Sequence, residues 1–403
     1  MKTALHEEHL NASFWGEKKV LAKRMQFLKP SPTFAIMGKA QELKKKGFPV
    51  LNFSVGEPDF DTPEHVKEAA VRAMKEGFTR YTATAGILEL REAIAEKLKK
   101  ENGIDAEPEE VIVSPGGKHA LNNIFQTLCE KGDEVIIPSP YWPSFMEQVR
   151  LCEATPVVVE GTEFKVSADE LREKISPKTK ALILNSPNNP SGAVYSKNEL
   201  KKIAELSLEN GFWIIADEMY EKFVFEGEHY SMASLGEEIK EKTITINGLS
   251  KTYAMTGWRI GYCHAKKELA QAISHLQGNA SGNANSIAQK AAIAALTGPQ
   301  QSVQSMVREF DKRRVLLAKG LNQLKGFSCP IPDGAFYAFP SVQNCFNDKT
   351  RNSLEFCEFL LNELHLATVP GHEFGKEGFA RFSCATSTEN IQEALERLQK
   401  KFG

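Results

Sequence analysis

The sequence predicts an α/β protein: a large domain over residues 50–300, with a mostly parallel sheet covered by helices, and a smaller α+β domain formed by residues 301–403 with an N-terminal arm, residues 1–49. Three observations predict it. From about residue 50 to 300, short β-branched or aromatic runs alternate with amphipathic segments, the pattern of parallel strands joined by helical crossovers. Past residue 300 that alternation gives way to a long charged helix, short strands and a terminal helix. The length of 403 residues suits two or three domains at roughly 100–200 residues each.

The elements follow in order. Thr62-Pro63 reads as an N-cap and first-turn proline. Val66, Ala69, Ala70 and Ala73 come next at helical spacing, and Gly77 ends the helix. A second helix carries Ile87, Leu90, Ile94 and Leu98 on one face and stops at Asn102-Gly103. Strands are predicted at Val111–Val113, Glu134–Pro138, Ala181–Leu184, Phe212–Ala216 and Thr243–Ile246. A helix around Arg308–Leu324 leads to strands near Ala335–Phe339 and Ala380–Cys384. The last helix places Ile391, Ala394, Leu395 and Leu398 on one face. The N-terminal arm is expected to pack against the smaller domain.

Composition narrows the function. Lys+Arg 50 against Asp+Glu 52 gives a net charge of −2, so no global basic field is available for a nucleic acid. No apolar run approaches the ~18 residues of a membrane span, and Met1–Val20, with Glu7, Glu8 and Glu17, does not read as a secretory signal. Cys129, Cys152, Cys263, Cys329, Cys345, Cys357 and Cys384 are odd in number and never paired as C-x-x-C. They read as reduced, mostly buried thiols of a cytoplasmic protein. No metal site is expected: His6-Glu-Glu-His9 lacks the H-E-x-x-H spacing.

In open α/β sheets ligands sit beyond the carboxyl ends of the strands, so the residues just past each strand are informative. Ser114-Pro-Gly-Gly-Lys118 opens a helix; paired glycines and a helix N-terminus suit a phosphate, although a tight turn alone has the same look. Ser139-Pro-Tyr-Trp-Pro143 offers flat rings for stacking, or simply core aromatics. Asn185-Ser-Pro-Asn-Asn-Pro-Ser-Gly192 is a loop whose amides can meet a ligand or cap turns. Asp217 ends an apolar strand, where a carboxylate is costly without a partner; capping the next helix is the rival role. Lys251, among hydroxyls and glycines, suits covalent amine chemistry, or is a surface lysine. Taken together, a phosphate cradle, a flat-ring platform, a buried carboxylate and an amine on one sheet edge make a pyridoxal phosphate site.

These residues resemble a known family, the class I aminotransferases of pyridoxal-phosphate fold type I, and within it the bacterial and archaeal aspartate aminotransferases. The resemblance rests on Ser54-Val-Gly-Glu-Pro-Asp-Phe60, Tyr81-Thr-Ala-Thr-Ala-Gly86, Ser139-Pro-Tyr-Trp142, Asn185 to Gly192, Asp217-Glu-Met-Tyr220, Ser250-Lys251 through Gly261, and Arg381-Phe-Ser-Cys-Ala-Thr386. It runs from about Lys23 to the C-terminus.

The resemblance implies roles. Lys251 is the Schiff-base lysine and then the proton-transfer group; Asp217 partners the pyridine nitrogen; Tyr220 and Asn189 reach the ring hydroxyl; Tyr141 stacks on the ring. Gly117, the Lys118 backbone, Ser250 and Arg259 surround the phosphate. Tyr81 reaches the phosphate of a neighbouring subunit, which implies a homodimer with shared sites. Arg381 clamps the substrate α-carboxylate with Asn189, Trp142 and the Gly56 backbone, its planar fork matching a carboxylate.

Another branch of the family recognises the distal carboxylate with an Arg in the region of Gly278–Asn285, which here holds no basic residue. The branch resembled uses the lysine after the Gly-Gly pair, Lys118. The implied reaction is transfer of the amino group from L-aspartate to 2-oxoglutarate. A prephenate- or aromatic-accepting aminotransferase is the alternative, and a pyridoxal-phosphate β-lyase a further one.

Overall fold

A computed structural model of the chain describes residues 22, 25, 28 and 32–403. His6, His9 and most of the N-terminal arm lie outside the described residues. Twelve strands occur among those described: β1 Leu51–Asn52, β2 Val111–Ser114, β3 Glu134–Ser139, β4 Thr155–Glu160, β5 Thr179–Asn185, β6 Trp213–Asp217, β7 Thr243–Gly248, β8 Gly261–His264, β9 Tyr337–Ala338, β10 Leu366–Ala367, β11 Val369–Pro370 and β12 Ala380–Ser383.

Seven strands form the central sheet in the order β2-β8-β7-β6-β5-β3-β4. All neighbours pair parallel except β8, which runs antiparallel to both β7 and β2. The mostly parallel α/β architecture is therefore as the sequence predicts. Side chains alternate between faces as strand geometry requires: Val135, Ile137, Ile183 and Ile215 enter one core, and Ile136, Leu182, Leu184 and Ile214 another.

The sequence does not predict strands β4 and β8. β4 is an edge strand whose exposed Thr155 and Glu160 dilute its apolar signal. β8 is only four residues long and closes the loop that begins after Lys251.

The predicted helices bury the expected faces. Helix Glu64–Lys75 buries Val66, Ala69, Ala70 and Ala73. Ile87, Leu90, Ile94 and Leu98 are all buried, and the segment stops at Asn102 with Gly103 at φ 67°. Thr62, however, is no N-cap. Its hydroxyl donates to Ala254 O at 2.7 Å and accepts from Trp258 Nε1 at 3.0 Å, which ties the helix entry to the loop after Lys251.

The C-terminal portion contains helix Gln301–Leu321, the antiparallel sheet β11-β12-β9 and helix Thr388–Phe402. Ile391, Ala394 and Leu398 are buried there, while Leu395 is half-buried. Helix Ser353–Glu363, β10 and β11 are elements that the sequence does not predict. β1 pairs parallel with β10, and Ala40 of helix Pro32–Lys45 packs with Leu361 and Ala367, so this helix lies against the C-terminal portion. Tyr220 and Phe223, just past β6, share an aromatic core with Phe310, Phe336 and Tyr337. All seven cysteines are free, six of them buried. Among the described residues no helix is long and apolar enough to cross a membrane.

Candidate active site

The carboxyl ends of β2, β3, β5, β6 and β7 converge on a cleft of about 280 Å³. Eleven of the thirteen residues singled out from the sequence line it: Gly56, Gly117, Lys118, Trp142, Asn189, Asp217, Tyr220, Ser250, Lys251, Arg259 and Arg381. Tyr141 and Tyr81 do not.

Lys251 sits on the short helix Leu249–Thr252 at the end of β7, and its ammonium donates to Gly56 O. Burial pushes its pKa down to about 8; the positive charges of Arg381 and Arg259 act in the same direction, and Glu57 and Asp217 oppose them. An amine so placed is partly neutral near neutral pH.

Asp217 closes β6 and is 7% exposed. It caps no helix, since a turn comes next; Met219 N donates to its Oδ1 at 3.2 Å. Burial raises its pKa to about 6, and the neighbouring Glu218 adds to the rise. The Asn185–Gly192 loop is pinned to the same strand end. Asn185 Nδ2 donates to Asp217 O at 3.0 Å, and Asn189 N donates to Asn185 Oδ1 at 2.8 Å.

Arg381 on β12 reaches the cleft from the C-terminal portion. Its Nη1 donates to Asn189 Oδ1 at 2.9 Å and its Nη2 to Ser54 O at 2.7 Å. The guanidinium lies 4.5 Å from the Tyr337 ring centroid and 5.0 Å from that of Phe374. It is buried, its Nε has no partner, and no described carboxylate lies within ion-pair distance. A buried cation without a counter-ion is a prepared anion site. Lys118 is a second cation: its Nζ stands 4.8 Å above the Trp142 ring, and burial, then the charge of Arg259, lowers its pKa.

At the end of β2 the chain turns through Gly116, at φ +89°, into helix Gly117–Leu128. A Cβ on Gly116 would stand 2.3 Å from Arg259 Nη2, so only glycine lets the guanidinium close over the turn. Arg259 itself holds φ +57°, a strained conformation typical of functional loops. The helix N-terminus, Ser250 and Arg259 present donors to one place, as a phosphate requires.

One expectation changes. Tyr141 faces away from the cleft: its N donates to Phe374 O at 3.0 Å, and its ring fills the space where a Cβ of Gly375 would stand, 2.5 Å from Cε1. The flat face presented to the cleft is that of Trp142. Tyr81 is 96% exposed and takes no part in the cleft within one chain.

Sequence reasoning missed Tyr337. Its hydroxyl pairs with that of Tyr220 at 2.7 Å, and a Cβ on Gly56 would stand 2.4 Å from it. Burial, with Tyr337 close by, raises the Tyr220 pKa well above its ordinary value. The Gly334-Ala-Phe-Tyr337 run was the available signal, an aromatic strand start with no polar neighbour to mark it. Ser54 O and Phe374 were also missed, because a carbonyl and an apolar ring leave no chemical signature.

The donor set fits a pyridoxal phosphate. It offers a phosphate cradle, a buried carboxylate in no salt bridge among the described residues, a flat ring and a desolvated amine, all in one cleft.

Comparison with known proteins agrees. The sequence profile described as aminotransferase class I and II matches residues 49–398. A relative named aspartate aminotransferase, from Geobacillus stearothermophilus, is 46% identical over 94% of this chain and 98% of its own. A relative from Aquifex aeolicus named probable aspartate/prephenate aminotransferase is 45% identical over 95% and 98%. Among solved structures, the aspartate aminotransferase of Thermus thermophilus with maleate superposes with a TM-score of 0.90 at 44% identity, covering 94% of this chain and 99% of that one.

Proposed function

Since the chain belongs to the family of class I and II aminotransferases, we propose that it transfers the amino group of L-aspartate to 2-oxoglutarate, giving oxaloacetate and L-glutamate in two successive half-reactions. The observation that carries this is the buried Arg381, without a carboxylate partner, in the same cleft as the Lys251 amine, with Lys118 as a second desolvated cation. Two cations suit a substrate with two carboxylates.

The family cofactor, pyridoxal 5′-phosphate, supplies an aldehyde that condenses with amines and a ring that delocalises negative charge. Gly117 N, Lys118 N, Ser250 and Arg259 would hold its phosphate, with Trp142 against the ring. Asp217 would hold a proton on the ring nitrogen, and Tyr220 and Asn189 would donate to the ring hydroxyl. Lys251 Nζ takes the proton from the substrate Cα and holds it for return, a role that needs an amine titrating near the working pH. Arg381, fixed by Asn189 and Ser54 O, orients the substrate so that its Cα–H bond faces Lys251.

We further read residues 50–300 as a large domain, and residues 1–49 with 301–403 as a smaller one. The protein is read as a cytoplasmic homodimer in which Tyr81 completes the partner's site. Seven unpaired thiols and the exposure of Tyr81 support these readings.

A second reading extends the substrate range to prephenate. Lys118 above the Trp142 ring places a cation beside an aromatic face, which suits a carboxylate on a cyclic substrate.

An absorption spectrum of the purified enzyme tests the proposal. A cofactor band should shift on adding aspartate and return with 2-oxoglutarate. Comparing kcat/KM for aspartate, prephenate, phenylalanine and alanine then fixes the range; a clear preference for alanine overturns the dicarboxylate reading. Arg381→Lys keeps the charge but loses the bidentate fork. It should lower kcat/KM for aspartate by roughly 100-fold, the loss of about 3 kcal/mol of charged hydrogen bonding.

A further inference from the structure

Behind the turn that carries Asp217 and Tyr220 lies a buried charged network to which the proposed chemistry gives no role. Lys97, from the end of helix Leu88–Lys97, pairs with Glu221, and its Nζ donates to Asn102 Oδ1 at 2.7 Å. Asn102 Nδ2 donates to Glu221 Oε2 at 2.7 Å and contacts Ser231 Oγ at 2.7 Å. Ser231 Oγ donates to Glu218 Oε2 at 2.6 Å, Met232 N donates to Glu218 Oε1 at 3.2 Å, and His229 Nε2 lies 3.3 Å from Glu218 Oε2. Lys97, Asn102, Glu218, Glu221 and Ser231 are all buried.

Taking four charged groups out of water costs several kcal/mol per ion, and such networks rarely add net stability. What they do fix is geometry, because each bond has one satisfying arrangement. Here both carboxylates belong to the turn of interest. Glu218 directly follows Asp217, and Glu221 directly follows Tyr220. Glu218 N also donates to Ile246 O of β7 at 2.9 Å. The turn is thus held from behind at each end, while Asp217 and Tyr220 face the cleft.

The network also sets charge. Glu218 is the anion next to Asp217, and its negative charge opposes ionisation there. Burial, the largest influence, and the Lys97 charge push the His229 pKa down, but Glu218 and Glu221 outweigh them and raise it, which favours the protonated form that neutralises Glu218. Glu221 is held down at about 2: burial opposes this, but Lys97, His229 and the Lys97 and Asn102 hydrogen bonds outweigh it. The other charged groups at this cluster are Glu101 and Lys222, paired with one another at 2.9 Å, Glu101 also lying 3.8 Å from Lys97. Glu218, Glu221 and His229 come within 4.8 Å of one another, a spacing that a metal ion could also use, but the Lys97 ammonium already sits against Glu221.

We propose that His229 is a positioning residue for the transamination chemistry. By pairing with Glu218 in the buried Lys97–Glu221–His229–Glu218 network, it keeps the adjacent Asp217 carboxylate ionised and aimed at the cofactor. The inference rests on the assignment of Asp217 to the cofactor's ring nitrogen.

The test compares the wild-type enzyme with His229→Gln, Glu218→Gln and the double variant. Two quantities are read against pH: the acid limb of kcat/KM for aspartate, and binding of pyridoxal phosphate to the apoenzyme. His229→Gln leaves Glu218 without a counter-charge, so both profiles should move to higher pH by about half a unit, roughly a twofold loss at the original midpoint and a threefold loss well below it. Glu218→Gln removes the anion while keeping the shape, and should move both the other way. The double variant should fall back towards wild type, a rescue that a merely structural defect would not produce. Should His229→Gln fail to fold, the downward shift in Glu218→Gln alone decides the matter. Unmoved profiles in folded variants, or a double variant shifted as far as His229→Gln, would overturn the inference while leaving the site assignment standing. If instead Asp217→Asn kept full cofactor affinity and turnover, both would fall.

Discussion

Asp217 shows how a single residue is placed for chemistry at a cost to the fold. Its pKa is raised to about 6 by burial, above the value near 3.8 expected in an unfolded chain. Between those values the native state binds more protons than the unfolded state, so its contribution to stability falls as pH rises and the penalty is complete above pH 6. Such a shift corresponds to about 3 kcal/mol. Asp217→Asn should therefore make the apoenzyme more stable at pH 8, with a gain that disappears below about pH 4, while its affinity for pyridoxal phosphate falls. Denaturation of the apoenzyme at the two pH values checks this; equal stability of variant and wild type at both would refute it. Lys251 has the opposite sign. Its depressed pKa, about 8, means that stability is gained as pH rises from there towards 10.5.

At the scale of elements, the antiparallel β8 is what brings Arg259 back to the phosphate cradle. Gly248 at the end of β7 and Gly261 at the start of β8 face each other in register. Gly261 has no room for a side chain and Gly248 very little. A Cβ on Gly261 would lie 2.2 Å from Gly117 N, and one on Gly248 would lie 3.1 Å from Gly261 Cα. Gly261 is not in the left-handed region, so its requirement is for space alone. Gly261→Ala should cost about 1–3 kcal/mol, as overpacking does, and should weaken cofactor binding by displacing the first turn of helix Gly117–Leu128. Gly257 belongs to the same loop, but a Cβ there would meet nothing within 4 Å, so Gly257→Ala should leave both properties nearly unchanged. Chemical denaturation and cofactor titration of the pair separate the two; equal behaviour would contradict the steric account.

For the whole molecule, the telling residue is Tyr81, a phenol left almost fully in solvent by a fold that buries more than half of the other described aromatic side chains. If Tyr81 completes a neighbour's site, inactive Lys251→Ala and impaired Tyr81→Ala proteins should regain activity when mixed under conditions that exchange subunits. The hybrid would contain one site with both residues intact. Activity no greater than the sum of the two variants alone would exclude a shared site.

The sequence by itself determined the parallel α/β plan and nearly the whole inventory of the cleft. Strand ends are local: a glycine pair, an Asn-Pro loop, an aspartate closing an apolar run and a lysine after Gly-Leu-Ser are each legible within a few residues. It could not say which way the side chain of Tyr141 or Trp142 points, because the space under Gly375 that admits Tyr141 is made by a segment more than 200 residues away. Nor could it show Tyr337 against Tyr220, or His229 against Glu218, since hydrogen bonds between distant segments exist only once packing has removed the water that would otherwise compete for them.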